Sequence, residues 1–424
     1  MKFYLNKSKA MTKNILSVLV VTAMIALSCN NSGSNNDSAR TADSLKQGSF
    51  GYDINFLKQH DDSLIILSNG EGKAQVIVSP KYQAKVFTST ADGKSGKSFG
   101  WVNYKAFSGA ADAHMNAYGG ENRFWLGPEG GRYSLFFKPD SSMVFANWKT
   151  PAPFDTEPWS VTDKNGQKVT MKKDMELTNY KGTKLDIGVS RSIQILSDAE
   201  ISQKTGINLD TSIKAVGYQA NNAITNDGKQ AWTEATGMPC IWMLDMFNPS
   251  PSTVIVVPFK NLAGKPFDKV VTSDYFGQIS QDRLKHTDDN LFFKADGKSR
   301  GKLGVAPDYA KPVAGSYDAE NKVLTIILFD LDSSAKYLNQ EWNTTKPTFQ
   351  GDAVNAYNDG PLEDGSQMGP FYEMESVSPA AFLKPGESLS HQHSVFHFTG
   401  NEKSLDAISQ KLLGVSLQTI QKEF

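Results

Sequence analysis

The sequence predicts a mostly β fold, in which large antiparallel sheets carry the chain and helices are few. Three features point that way. From about residue 50 onward the apolar runs are strand-length and rich in β-branched and aromatic residues. Clusters of Gly, Pro, Asn and Asp punctuate them. Stretches of helical period long enough to bury a face are scarce.

The chain opens differently. Lys2, Lys7, Lys9 and Lys13 precede an apolar run from Ile15 to Leu27. At about a dozen residues this run falls short of the roughly 20 that a membrane-spanning helix needs, and it reads as the core of a signal peptide over residues 1–28. It closes on Ala26-Leu27-Ser28-Cys29, which resembles a bacterial lipobox, so Cys29 is the expected lipidation site. Residues 30–49 are rich in Asn, Ser, Asp and Gly and too polar to repay their ordering entropy, so residues 29–49 are expected to be a flexible tether. Acyl chains on Cys29 would hold the protein on a bacterial membrane. The expected location is therefore exported and lipid-anchored, on a periplasmic or cell-surface face.

Strands are expected at 74–80, 84–90, 133–139, 184–196, 252–259 and 322–330. Helices are expected at 198–206, with Asp198 as cap, and in the final segment, with Ser404 as cap. No repeat of 20 to 50 residues is visible, which argues against a propeller or solenoid. No long Pro- or Ser-rich linker interrupts residues 50–424, so they are expected to form a single domain of two extensive sheets packed face to face.

Charge is balanced, 44 basic against 45 acidic residues, with no basic stripe. Nucleic acid is accordingly excluded as an expected partner, and a neutral ligand fits better. The second cysteine, Cys240, lies in an apolar run and reads as a small buried hydrophobe. No H-E-x-x-H, Walker-type or dinucleotide fingerprint occurs, which removes the usual zinc protease, nucleotide and redox readings.

Three segments look chemical. Residues 112–137 place His114, Glu121, Arg123, Trp125 and Glu129 among glycines. Arginine offers a bidentate donor and tryptophan a flat apolar face, a mixture that suits a sugar ring, although Gly-rich turns with a structural ion pair would look the same. In 184–196, alternation puts Arg191 on an otherwise apolar face, where it must be paired or must face a solvated cleft. In 351–398, Phe371, Glu373, Glu375 and Val377 share a face, which sets two carboxylates about 7 Å apart along one strand. Like charges that close can raise one pKa toward neutrality, the condition for general acid or base work. Further on, His391, His393 and His397 occupy odd positions and hence one face. His391 and His393 could ligate a divalent metal with Glu373, serve as metal-free proton donors or ligand contacts, or form a structural face.

Four segments carry a resemblance: SPKYQAKVFTSTA, GGENRFWLGPEGG, YQANNAITNDGKQAW and the run from Val354 to Phe398. They resemble a family of uncharacterised bacterial lipoproteins that is in turn similar to the galactose mutarotase-like proteins, among them the aldose 1-epimerases. That resemblance implies a β supersandwich with a carbohydrate-binding cleft on one sheet and no cofactor. It also implies that Glu375 is the catalytic base and that Arg123, in the pair Asn122-Arg123, contacts the sugar. The epimerases' Asn-His loop and its catalytic histidine have no counterpart here, so the acid falls to His114 first and His391 second. Glu373 would orient Glu375, while Trp125, Glu129, Arg191 and His393 would bind substrate. The expected activity is sugar mutarotation. The alternatives are a non-catalytic glycan-binding accessory lipoprotein, or a metal-dependent carbohydrate lyase or hydrolase.

Overall fold

The computed structural model describes residues 45–424 apart from 71, 262 and 263. The signal segment, Cys29 and residues 30–44 of the expected tether lie outside the described residues. The last tether positions belong to the fold. Gly48 O accepts from the Ser98 N–H at 2.9 Å, and Ser49 caps a helix that the periodicity reading missed, α1 (Phe50–Lys58). Phe50, Ile54 and Leu57 lie on one face of α1 and are buried, which is what holds so short a helix.

A small antiparallel sheet of β1 (Ile65–Ser68), β2 (Gln75–Ser79) and β3 (Lys85–Thr90) follows. Then come β4 (Arg123–Gly127), β5 (Ser160–Lys164), β6 (Lys168–Thr178), β7 (Lys184–Ile195), α2 (Asp198–Thr205) and β8 (Ile213–Asn226). The middle of the chain supplies β9 (Cys240–Phe247), β10 (Thr253–Pro258), β11 (Val271–Thr272), β12 (Leu284–His286), β13 (Asn290–Lys294) and β14 (Gly301–Val305). The last part adds β15 (Val313–Asp318), β16 (Val323–Phe329), β17 (Val354–Asn358), β18 (Tyr372–Val377), β19 (Ser388–Gly400), α3 (Glu402–Leu413) and α4 (Leu417–Lys422).

Ten strands form the larger sheet, in the order β12-β13-β10-β15-β16-β19-β8-β7-β6-β5. Six form the other, in the order β11-β14-β17-β18-β9-β4. The mostly β class with large antiparallel sheets is thus what the molecule adopts, and Leu45–Phe424 is one compact unit. The two sheets pack face to face over one large apolar core, and α2, α3 and α4 cover the outer face of the larger sheet. β19 shows the layering. Phe396 and Phe398 point toward the helices, whereas His393, Val395 and His397 point between the sheets. No helix among the described residues is long and apolar enough to cross a membrane.

Three local expectations are corrected. Residues 133–139 are not a strand: Tyr133, Leu135, Phe136 and Phe137 are buried through turns, so their apolar run reflects packing and not pairing. The cap of α2 is Ser197, one residue earlier than expected, in a reciprocal capping box with Glu200. The cap of α3 is Asn401, whose side chain accepts from the Lys403 and Ser404 N–H groups, because the helix starts a half-turn before Ser404.

Candidate functional site

Register in the six-stranded sheet determines which side chains meet. Directly opposed residues share a face, and the pairings run Arg123 to Leu244 to Glu375 across β4, β9 and β18. One step along, Met246, Glu373, Tyr357 and Lys302 align across β9, β18, β17 and β14. Trp125 and Trp242 form a third opposed pair. All of these point away from the larger sheet, into a cleft of about 130 Å³. A single buried water needs only roughly 10–15 Å³ on the same measure, so the cleft has room for one small molecule.

The approach of β4 to this face rests on a glycine. Gly119 has φ +84°, and a Cβ there would lie 2.2 Å from the Trp101 carbonyl oxygen. Only glycine tolerates both, which is why the GGENR segment can turn tightly into Arg123.

Within the cleft the charges alternate. Arg123 pairs with Glu373, donating from Nη2 to Oε1. Lys302 Nζ donates to Glu375 Oε2 at 2.8 Å, and Trp242 Nε1 donates to the same oxygen at 2.8 Å. Glu375 Oε1 and Arg123 Nε are buried and have no partner, so each has unused hydrogen-bonding capacity in the cleft. Burial pushes the Glu373 carboxyl up to about 7; the Arg123 cation opposes this and the neighbouring Glu375 charge adds to it. Glu129 is raised as well, chiefly by burial.

Aromatic side chains build the walls. Trp125 and Trp242 meet edge-to-face with ring centres 5.5 Å apart, and Phe136 from the misread segment packs 5.3 Å from Trp125. The Lys302 ammonium lies 4.6 Å from the Trp242 ring centre, and the Arg300 guanidinium 3.8 Å from that of Phe276. At the rim Phe145 is 62% exposed and offers an apolar ring face beside the cleft.

Of the residues expected from sequence, Arg123, Trp125, Glu129, Glu373 and Glu375 line this cleft together. His114 does not line it. It stands behind the rim, stacked on Phe145 at 4.6 Å, with Nδ1 2.6 Å from the Trp148 carbonyl oxygen. Arg191 is a correction to the substrate-binding set: it is fully buried between the sheets, donating to Ala84 O, Asn222 Oδ1 and both oxygens of Asn122.

His391 and His393 are corrected in the same way. Both share the Ser376 hydroxyl, at 2.8 Å from His391 Nε2 and from His393 Nδ1. His393 Nε2 lies 2.6 Å from Asp245 Oδ2, and burial drives the His391 pKa down to about 3. A neutral imidazole behind the sheet cannot reach the cleft or act as its acid. His397 is engaged with Glu121 and Thr325. Among the described residues no group of three potential ligands is placed to hold a metal, which leaves the tentative site at His391 and His393 incomplete. Cys240 is buried, its thiol pushed up to about 12 by desolvation.

Sequence reasoning missed Lys302, Arg300, Trp242 and Trp342. Trp242 lies beside Cys240 in a run that reads only as apolar, and Lys302 carries no local signal except a strand position between glycines.

The model of a family of unknown function, DUF6786, matches residues 48–424. The chain belongs to that family. No curated protein matches it. Solved structures similar to this DUF6786 chain include a provisional aldose 1-epimerase from Escherichia coli K12, with 12% identity, a TM-score of 0.49, and coverage of 79% of this chain and 98% of that one. The Slr1438 protein from Synechocystis sp. PCC 6803 is similar at 12% identity and a TM-score of 0.48, covering 80% and 96%. A galactose mutarotase-like protein from Lactobacillus casei ATCC 334 is similar at 11% identity and a TM-score of 0.45, covering 79% and 99%. The first and third bear names from the group that the sequence segments resemble. Each is a likeness in the course of the chain and no more.

Proposed function

We propose that the cleft binds one ring of a carbohydrate and interconverts its anomers. The observation that carries this reading is the pair of carboxylates on β18, held side by side in different electrostatic settings. Glu375 binds Lys302 through Oε2 and keeps Oε1 without a partner, an oxygen free to accept a proton. Glu373 is held near neutrality by burial, the state of an acid that still carries its proton.

In the proposed step Glu375 Oε1 takes the proton of the anomeric hydroxyl, and the C1–O5 bond breaks as the C1=O1 carbonyl forms. The electron pair goes to O5, which takes the proton of Glu373. Rotation about C1–C2 and the reverse transfers close the ring as the other anomer. Both protons return to their owners, so no co-reactant is needed. Arg123 and Glu129 would hold hydroxyls, while Trp125 and the exposed Phe145 ring would receive the apolar ring face. Glu373 replaces His114 and His391 as acid because it alone of the three lies in the cleft.

Polarimetry on freshly dissolved aldoses tests this. The protein should speed equilibration of at least one aldose in a panel of neutral hexoses and pentoses, and Glu375→Gln should abolish the effect. Equal rates for the two proteins would refute the reading.

We further propose that Cys29 is acylated and anchors the domain to a bacterial membrane, as the residues around it suggest. Labelled palmitate should enter the protein in cells and fail to enter Cys29→Ser; equal labelling of both would exclude this anchor.

A further inference from the structure

The cleft does not stop at its own rim. Met368 lines it and also lines a second hollow of about 730 Å³, several times the volume of the cleft. The two share a wall, because the Phe371 ring of the cleft lies 4.7 Å from the Trp101 ring of the larger groove. The groove is therefore the neighbouring hollow on the Met368 side of the cleft.

The groove has its own chemistry. Among the described residues Lys105 is its only charged lining residue, against three cations and three carboxylates in the cleft. Of the four side-chain amides that line it, three are each turned by a hydrogen bond from their own NH₂ group to a backbone carbonyl. Asn103 donates to Ala117 O at 2.9 Å, Asn248 to Gly100 O at 2.8 Å and Gln367 to Gly297 O at 2.8 Å. That bond fixes the plane of each amide and uses one or both of its N–H donors, and among the described residues the three side-chain carbonyl oxygens have no protein donor. Fixed neutral acceptors beside the rings of Trp101 and Tyr104 match a ligand that is rich in hydroxyl donors, has apolar faces and carries no charge. An alkyl chain would leave the carbonyl oxygens unpaired, and an anion would meet a single exposed lysine.

We propose that this groove holds the further rings of a neutral oligosaccharide whose reducing-end ring occupies the cleft. The inference rests on the carbohydrate reading above and deepens it: the substrate is a short glycan chain, with the chemistry confined to its terminal ring.

Calorimetric titration with glucose and galactose, and with linear neutral oligosaccharides of two to four units ending in each, tests the inference. Affinity should rise about tenfold or more from the monosaccharide to the tetrasaccharide of the preferred series. In Gln367→Ala and in Trp101→Phe the ratio of the two affinities should collapse toward one. Gln367 is exposed, so that variant stays informative even where the Trp101 change disturbs packing. Binding that is the same at every chain length, with a ratio unmoved by Gln367→Ala, overturns the groove and leaves the cleft reading standing. If no sugar of any length binds and Glu375→Gln changes nothing, the cleft reading falls and the groove with it.

Discussion

The two faces of strand β18 are made from one short segment and behave in opposite ways. Glu373 and Glu375 face the cleft, where one carboxylate oxygen and one guanidinium nitrogen have no partner. Ser376, one residue on, faces the larger sheet and joins His391 to His393, which continues to Asp245, Asn122 and Arg191 in an unbroken buried chain of hydrogen bonds. Both faces are polar and titratable, and composition does not distinguish them. What distinguishes them is satisfaction. The interior network is closed on itself except at His391 Nδ1 and ties the two sheets together, whereas the cleft keeps an acceptor and a donor unpaired.

The comparison can be broken from either side, and the largest effect is expected in the cleft. Glu375→Gln keeps the side-chain shape and should lower the rate of anomer interconversion about 10²- to 10⁴-fold, the usual contribution of a general base. Circular dichroism should show the fold retained.

Changes on the interior face should act on stability instead. Asp245→Ala strands His393 Nε2 and the Asn122 amide, and at about 1–3 kcal/mol for each buried group left unpaired it should lower the denaturation midpoint clearly. Ser376→Ala removes a smaller hub and should cost less. In both variants the folded fraction should keep its pH–rate profile; a shifted profile would mean that the histidine chain reaches the reaction.

The smallest effect is a pH dependence. Glu373 acts in its protonated form, so the rate should fall as pH rises through about 7, and in Glu373→Gln the remaining rate should lack that limb. Stability should move in the same sense. A carboxyl raised in the fold from its ordinary 4.5 contributes stability below that value, and this is lost as pH rises through about 7. A rate that climbs through neutrality would remove Glu373 from the acid role.

Much of this arrangement was legible in the residues. Alternation alone put Glu373 beside Glu375, and His391 in line with His393 and His397, and all of them share faces as expected. The glycine-bounded segment put Arg123 and Trp125 two residues apart, on one face of a strand, and both line the cleft. Arg191 was posed correctly as a choice between a paired and a solvated site, and the structure chose the paired one. The run 133–139 misled because an apolar segment buried by loops looks the same as one buried by strand pairing.

The sequence by itself determined the mostly β class, most of the strands, and which side chains stand on a common face, since a period of two is a property of the backbone. It did not determine which face is covered, because that depends on what is stacked above each strand. Only the sheet order β14-β17-β18-β9-β4 brings Lys302, Trp242 and Arg123 to the two glutamates, across separations of 73, 133 and 250 residues. Only the packing of the ten-stranded sheet turns three conspicuous histidines into interior structure, because burial penalises the charged form of His391 and buried hydrogen bonds engage all three rings.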